Sequence, residues 1–353
     1  MEKMEHILLV EPAYYSKFPP IGLMKISSYE KGKGNTTELI RCREGLKQAY
    51  EEPSRIYVTS LFTYAWRPVH EAIKFYKTMY PEAEVILGGI YASLLPKHAL
   101  GSDCDKVHEG LFFPAEDLMP DYGLIPEWNA SVLFTSRGCI RHCPFCAVPI
   151  MEPEYTCRNT IKNLLWPNHE KIILWDNNFL ASKHWESILS ELREANLIVD
   201  FNQGLDARLL NEDKAEEISK LKLSVIRMAY DRVEQRDKLE EAIELLSEKG
   251  VRKRNILVYT LYNFRDTPDE FFERINDLLS WGVVAYPMRF QPIRTLRKDS
   301  FVSSEWTAEQ LEMIADARRV LGTHGAFPPS EGLLNKFSSA SGFKSAFSLR
   351  NPV

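Results

Sequence analysis

The chain has 353 residues, enough for two domains of ordinary size. Its 44 Lys and Arg against 49 Asp and Glu leave a net charge of −5, so nucleic-acid binding is not indicated. No apolar run approaches the ~18 residues of a membrane span, and Met1-Glu2-Lys3-Met4-Glu5-His6 lacks the apolar core of a signal peptide, so a soluble cytoplasmic protein with reduced thiols is expected.

Residues 6–12 form a short apolar run closed by Pro12, as a buried parallel strand does at its loop. Next come a predicted helix over Ile21–Lys31, strands over Glu38–Cys42 and Arg55–Phe62, a helix over Arg67–Tyr80 and a strand over Glu84–Gly89. This alternation predicts a doubly wound α/β domain, whose ligands sit beyond the carboxyl ends of the strands. Gly88-Gly89 reads first as a tight strand-to-helix turn and second as a place where the backbone approaches a ligand. His6, His70, His98 and His108 read as surface or core residues.

Residues 111–129 hold three prolines and no period, which marks a linker. A second α/β series follows, with strands over Ser131–Thr135, Lys171–Trp175, Leu197–Phe201, Leu223–Met228, Asn255–Leu261 and Val283–Phe290. Helices are predicted over Thr160–Trp166, Ser182–Ala195, Glu212–Leu221, Asp237–Lys249 and Pro268–Trp281. The basic stretch Arg289, Gln291, Arg294, Arg297, Lys298 suits either an anionic group or a solvated face. Residues 303–320 read as a closing amphipathic helix, and 336–353 as a lid over the site or a mobile end.

Between the first and second strands of this series lies Ser136-Arg137-Gly138-Cys139-Ile140-Arg141-His142-Cys143-Pro144-Phe145-Cys146, which holds half of the six cysteines. Three thiolates with no close fourth partner suit a cubane iron–sulfur cluster with one open iron. Zinc is the rival, although a structural zinc site is closed by four ligands and only the Cys143/Cys146 half shows paired spacing. Ordinary buried thiols are the third reading, and fit poorly with so polar a turn. Cys42, Cys104 and Cys157 read as buried thiols, Cys157 being the nearest to the motif.

The spacing Cys139-x₃-Cys143-x₂-Cys146, with Phe145 before the last Cys, is similar to the signature of the radical SAM superfamily. Six strand–helix units resemble that family's partial (β/α)₆ barrel over roughly 130–295. Pro19-Pro20-Ile21-Gly22-Leu23, Ser60-Leu61-Phe62-Thr63 and Leu87-Gly88-Gly89 resemble the N-terminal cobalamin-binding-type domain of one subclass. The resemblance implies an α/β fold in four parts: a Rossmann-like doubly wound domain over 1–110, a linker over 111–129, the partial barrel over 130–295, and a C-terminal helix and tail over 296–353.

It also implies chemistry. Cys139, Cys143 and Cys146 would hold a [4Fe–4S] cluster, whose fourth iron takes S-adenosylmethionine (SAM) and cleaves it reductively to a 5′-deoxyadenosyl radical. Phe145 would lie near the adenine, Asp176, Asn177 and Asn178 would meet the SAM amino group, and Tyr259 to Asn263 would meet the adenine again. Gln203 suits the SAM carboxylate or the substrate, and Arg227 suits the carboxylate through two parallel hydrogen bonds. Asp206 and Arg208 suit the same ligands or a surface ion pair, and Asp231 a helix cap. Asp-x-His-x-x-Gly, the motif whose His ligates cobalt, does not occur, so cobalamin could bind only without that ligand. The expected activity is hydrogen abstraction from an unread substrate, with an electron donor of flavodoxin or ferredoxin type. The alternatives are a cobalamin-dependent methyltransferase and a non-catalytic zinc or iron–sulfur module. A methylthiotransferase would need three N-terminal cysteines, and only Cys42 and Cys104 precede the motif.

Overall fold

The computed structural model describes residues 4–349. It opens with β1 (His6–Glu11), α1 (Ile21–Gly32), β2 (Thr36–Arg41), β3 (Arg55–Ser60), α2 (Trp66–Met79), β4 (Glu84–Gly89), the short helices α3 (Ile90–Leu94) and α4 (Pro96–Leu100), and β5 (Lys106–Val107). These strands form one parallel sheet in the order β2-β1-β3-β4-β5. Alternate residues of β1 feed opposite faces, as in a sheet covered on both sides. Leu8 and Val10 share a core with Val69, Ala72, Ile73 and Tyr76 of α2, while Ile7 and Leu9 pack with Leu23 of α1. The α2 positions recur at helical spacing, so that helix has a single buried stripe.

The first helix is different. Its buried residues Ile21, Leu23, Met24, Lys25, Ser27 and Glu30 surround most of its girth. Leu23 meets the first sheet, but Ile21 and Met24 pack with Tyr122, Ile125, Val132 and Ile173 of the following unit. Helix α1 therefore joins the two units through apolar burial. The linker 111–129 contributes two single turns, Phe113–Ala115 and Tyr122–Leu124, the second packed in that joint.

The second unit runs through β6 (Ala130–Leu133), β7 (Ser136–Arg137), α5 (Val148–Met151), β8 (Thr156–Cys157), β9 (Lys171–Leu174), α6 (Trp185–Ala195), β10 (Ile198–Phe201), α7 (Glu212–Ser219), β11 (Lys222–Leu223), β12 (Ile226–Ala229), α8 (Arg236–Glu248), β13 (Ile256–Tyr262), α9 (Pro268–Ser280) and β14 (Val284–Arg289). Parallel ladders join β11-β10-β9-β6 and β12-β13-β14. One apolar cluster runs behind both, from Ile172 and Val199 to Met228, Val258 and Ala285, under α6 to α9. The Leu205 N–H donates to the Arg227 carbonyl at 2.8 Å across the break between the ladders.

Three expectations are corrected. The strand foreseen over Leu223–Met228 is two strands, β11 and β12, in different ladders. The helix foreseen over Thr160–Trp166 is one turn, Lys162–Leu164. Glu191 takes the Thr160 hydroxyl and the Ile161 N–H, and Pro167 follows too soon for a helix to pay back its nucleus. The tail is neither lid nor loose end over its described length. After α10 (Ala308–Val320), Phe327 bridges Ala285 on the edge of β14, and α11 (Glu331–Ser338) and α12 (Phe343–Phe347) cover α9 through Phe272–Phe337 and Phe271–Phe347 ring contacts.

Candidate active site

The cysteine loop is closed at its neck by β7 and β8, where Ser136 pairs with Cys157 and Arg137 with Thr156. Cys157 thus sits in the neck, apart from the other three. Gly138 enters the loop at φ +71°, and a Cβ there would lie 2.2 Å from the Glu154 carbonyl oxygen, so the position demands glycine. The Cys146 N–H donates to the Cys143 carbonyl at 3.0 Å, making a turn between the two. Backbone N–H groups of Arg141 and Val148 donate to the sulfurs of Cys139 and Cys146 at 3.3 and 3.5 Å. Bonds of this kind tune cluster-ligating thiolates. Burial first, then the neighbouring thiol and Asp231, pushes the Cys143 thiol up, and burial does the same to Cys146. Among the described residues no group of three or more His, Cys, Asp and Glu is arranged to hold a metal ion. The donor set itself, three thiols on one polar loop, has the chemistry that iron–sulfur clusters use.

The carboxyl ends of β9 and β10 face this loop. Asp176 is 3% exposed and accepts from the Thr135 N–H and hydroxyl and from the Ser136 hydroxyl, at 3.2, 2.5 and 2.6 Å. Its carboxylate is thereby engaged in bracing the strand that leads to the neck. Asn177 donates to Glu152 at 3.1 Å. Asn178, also 3% exposed, donates to the Cys139 sulfur at 3.7 Å and to Asp206 at 3.2 Å, while its Oδ1 has no hydrogen-bond partner among the described residues. An orphaned buried acceptor is costly unless a ligand fills it.

Asp206 gathers two guanidinium groups, Arg141 at 3.0 Å and Arg208 at 2.6 Å. Burial works against its charge, but these hydrogen bonds hold its carboxyl below the usual range. Arg208 was one of the sequence's candidates for the carboxylate, and Arg227 was the other guanidinium. That residue lies second in β12 and is ion-paired with Asp200, which also binds Lys171 at 2.9 Å. Arg227 is thus committed within the strand body, and the partly exposed Arg141 and Arg208 are the guanidinium groups gathered at the loop. Gln203 is exposed and lines the larger cavity described below. Tyr259 is mid-strand, its ring against Tyr286 at 5.5 Å.

Phe145 reaches the end of β13, where its ring meets Phe264 edge-on at 5.6 Å. Both line a cavity of about 220 Å³ with Leu261, Arg265 and Asp231. Burial pushes Asp231 up to about 6 despite the pull of Arg274.

A second cavity, of about 800 Å³, opens between the two units. Ile26, Thr59, Gly88 and His108 line it from the first sheet and α1, and Phe134 and Trp175 from the second unit. Its size falls within the ~300–1,000 Å³ of small-molecule and cofactor sites. Of the two glycines, Gly89 is explained by the fold: at φ +98° its missing Cβ would lie 2.2 Å from the Ser60 carbonyl oxygen. Gly88 has ordinary clearance from His108. Sequence reasoning passed over Arg137, Glu116 and Glu152, which meet on the wall of this cavity. The signal was a lone arginine between an apolar strand and the motif.

No protein-family model matches the chain, and no curated protein matches it by sequence. Among solved structures, it is similar to the radical S-adenosylmethionine methyltransferase TsrM from Kitasatospora setae with cobalamin and a [4Fe-4S] cluster bound, at a TM-score of 0.65 and 12% identity over 91% of this chain and 76% of that one. The same enzyme with tryptophan substrate and the SAM analogue aza-SAM gives 0.65 and 14% over 91% and 78%. At such identities the shared property is the fold.

Proposed function

We propose that this chain is a radical SAM enzyme, with a Rossmann-like domain over 1–110, a linker over 111–129, a partial (β/α)₆ barrel over 130–295 and a C-terminal cap. The reading rests on one observation: a loop bearing three cysteines at the strand ends of a fold shared with a radical SAM methyltransferase. Cys139, Cys143 and Cys146 would hold the [4Fe–4S] cluster. When bound, cluster and SAM would supply a low-potential electron, drawn from a flavodoxin- or ferredoxin-type donor, and the 5′-deoxyadenosyl group that abstracts hydrogen.

The residues around the loop fit a methionine end. Asn178 Oδ1 offers its unfilled acceptor to an ammonium beside Cys139, with Asn177 next to it, and Asp176 shapes the site from behind. Arg141 and Arg208, held together on Asp206, present donors to the carboxylate. Phe145, Leu261 and Phe264 offer apolar walls to the adenine.

A second reading, a cobalamin-dependent methyltransferase, is favoured by the 800 Å³ cavity that ends at the cysteine loop. Apolar walls with Asn177, Asn202 and Gln203 along one side suit a corrin, whose rim carries amides. No histidine in the β1–α1 loop faces it, so His ligation of cobalt from that loop is not part of the reading.

Anaerobic reconstitution with iron and sulfide should load about four irons per chain, and reduction with SAM should release 5′-deoxyadenosine and methionine. Cys139→Ala should abolish both. Zinc uptake without SAM cleavage would sink the enzyme reading. For the second reading, retention of methylcobalamin through gel filtration is expected, and its loss from the wild-type chain rules that reading out.

A further inference from the structure

Residues on the cavity wall also hold Cys139 in place. Arg137 donates through Nε and Nη2 to the two oxygens of Glu116 at 2.7 and 2.8 Å, and through Nη1 to Glu152 at 3.1 Å. Its guanidinium lies over the Phe134 ring, 3.4 Å from the centroid. The other oxygen of Glu152 accepts from the Gly138 N–H at 2.7 Å and from Asn177 at 3.1 Å. Gly138 adjoins Cys139, and Asn177 adjoins the Asn178 that donates to the Cys139 sulfur. Glu116, Phe134, Arg137, Glu152 and Asn177 all line the large cavity.

One guanidinium thus connects three things: the linker through Glu116, the cavity it lines together with Phe134, and the loop neck through Glu152. Side chains of Arg137, Glu116 and Glu152 are 14%, 16% and 11% exposed. Ion pairs this shielded are costly to break by halves, so the fork is either engaged on both carboxylates or rearranged. Its geometry is specific to arginine, because a lysine ammonium cannot present a planar fork to two carboxylates.

We propose that Arg137 is a positioning residue that couples occupancy of the interdomain cavity to the placement of Cys139. A corrinoid seated against Phe134 and Arg137 fixes the fork, the fork fixes Glu152, and Glu152 fixes Gly138 and the first cysteine. By linkage, a loop held by its cluster tightens the cavity to the same degree. The inference rests on the second reading above.

The test uses the cluster-free chain, so its readout is independent of turnover. Iodoacetamide alkylation of each cysteine is followed by mass spectrometry, in the dark, with and without saturating methylcobalamin, whose binding is read separately from its absorption spectrum. Cys139 alkylation should slow at least tenfold in the wild type and less than twofold in Arg137→Gln, with Arg137→Lys in between. Glu152→Ala leaves the Arg137–Glu116 pair intact and should also fall below threefold, which keeps the test open if Arg137→Gln folds poorly. Protection of buried Cys42 and Cys104 reports folding in every variant. Bound corrinoid with no slowing in the wild type overturns the coupling, as does undiminished slowing in a folded Arg137→Gln chain. A wild type that takes up no methylcobalamin removes the second reading and the coupling with it.

Discussion

Lys25 shows how much one side chain can reveal about the joint between the units. It is 7% exposed, donates to the Glu116 carbonyl at 2.5 Å, and lies 3.5 Å from the Glu116 carboxylate. Burial, resisted by Glu116 and reinforced by Arg137, pushes its pKa down to about 8. In the unfolded chain the ammonium titrates near 10.5, so between pH 8 and 10.5 the unfolded state binds more protons and stability rises with pH. Below pH 8 the full cost is present, up to about 3 kcal/mol at ~1.36 kcal/mol per unit. Lys25→Met, which leaves Glu116 paired with Arg137, is expected to be more stable at pH 7 by about 1–3 kcal/mol and to lose the alkaline rise. Urea unfolding of both chains at pH 7 and pH 10 checks this. A Lys25→Met chain less stable at pH 7 would show that the ammonium contributes more than its burial costs. Cys139, Cys143 and Cys146 were legible from spacing, since a metal-binding loop writes its ligands close together. Arg137 and Glu152 were not, since they meet through a neck that pairs residues 19 and 21 apart along the chain.

At the scale of elements, helices and strands with one buried face could be read from period alone, as for α2 and α9. The α9 start is marked in full by Pro268 at its first turn and by Thr267 and Glu270, which form the capping box observed. The break between β11 and β12 was not readable, because Leu223 to Met228 is equally apolar whether it spans one ladder or two. What holds the strand ends beyond that break is Arg274 on α9, 0% exposed. It donates to the carbonyls of Tyr230 and Leu261, at 2.9 and 2.8 Å, and is ion-paired with Asp266. Burial pushes its pKa down and that of Asp266 up, so each depends on the other for its charge. Arg274→Met should cost about 3–5 kcal/mol, because it takes the counter-ion from a buried carboxylate and a donor from each of two carbonyls. Adding Asp266→Leu should return part of that loss. Denaturant midpoints of the two variants measure it, and a single variant within ~1 kcal/mol of wild type would show that solvent reaches Asp266 freely.

The whole molecule has two large apolar cores and a smaller apolar cluster that joins them. One core packs α2 on the first sheet and another runs under α6 to α9, with the cluster around Ile21, Met24, Tyr122 and Val132 between the units. Polar ties cross the joint as well: the Arg137–Glu116 fork with Lys25 on the same carboxylate, and single bonds such as Thr63 to the Thr295 carbonyl at 2.6 Å and Arg294 to the Leu94 carbonyl at 3.3 Å. Two separate cores joined this way should unfold in two calorimetric transitions rather than one. A ligand that binds only the assembled cavity stabilises both units at once, by about 2.7 kcal/mol at a hundredfold excess over its dissociation constant. Methylcobalamin at that excess should therefore raise the lower transition until it merges with the upper one. If it raises a single transition and leaves the other in place, the ligand is held by one unit alone. In that case the wall formed by Phe134, Arg137 and Trp175 is a boundary of the cavity rather than part of its grip.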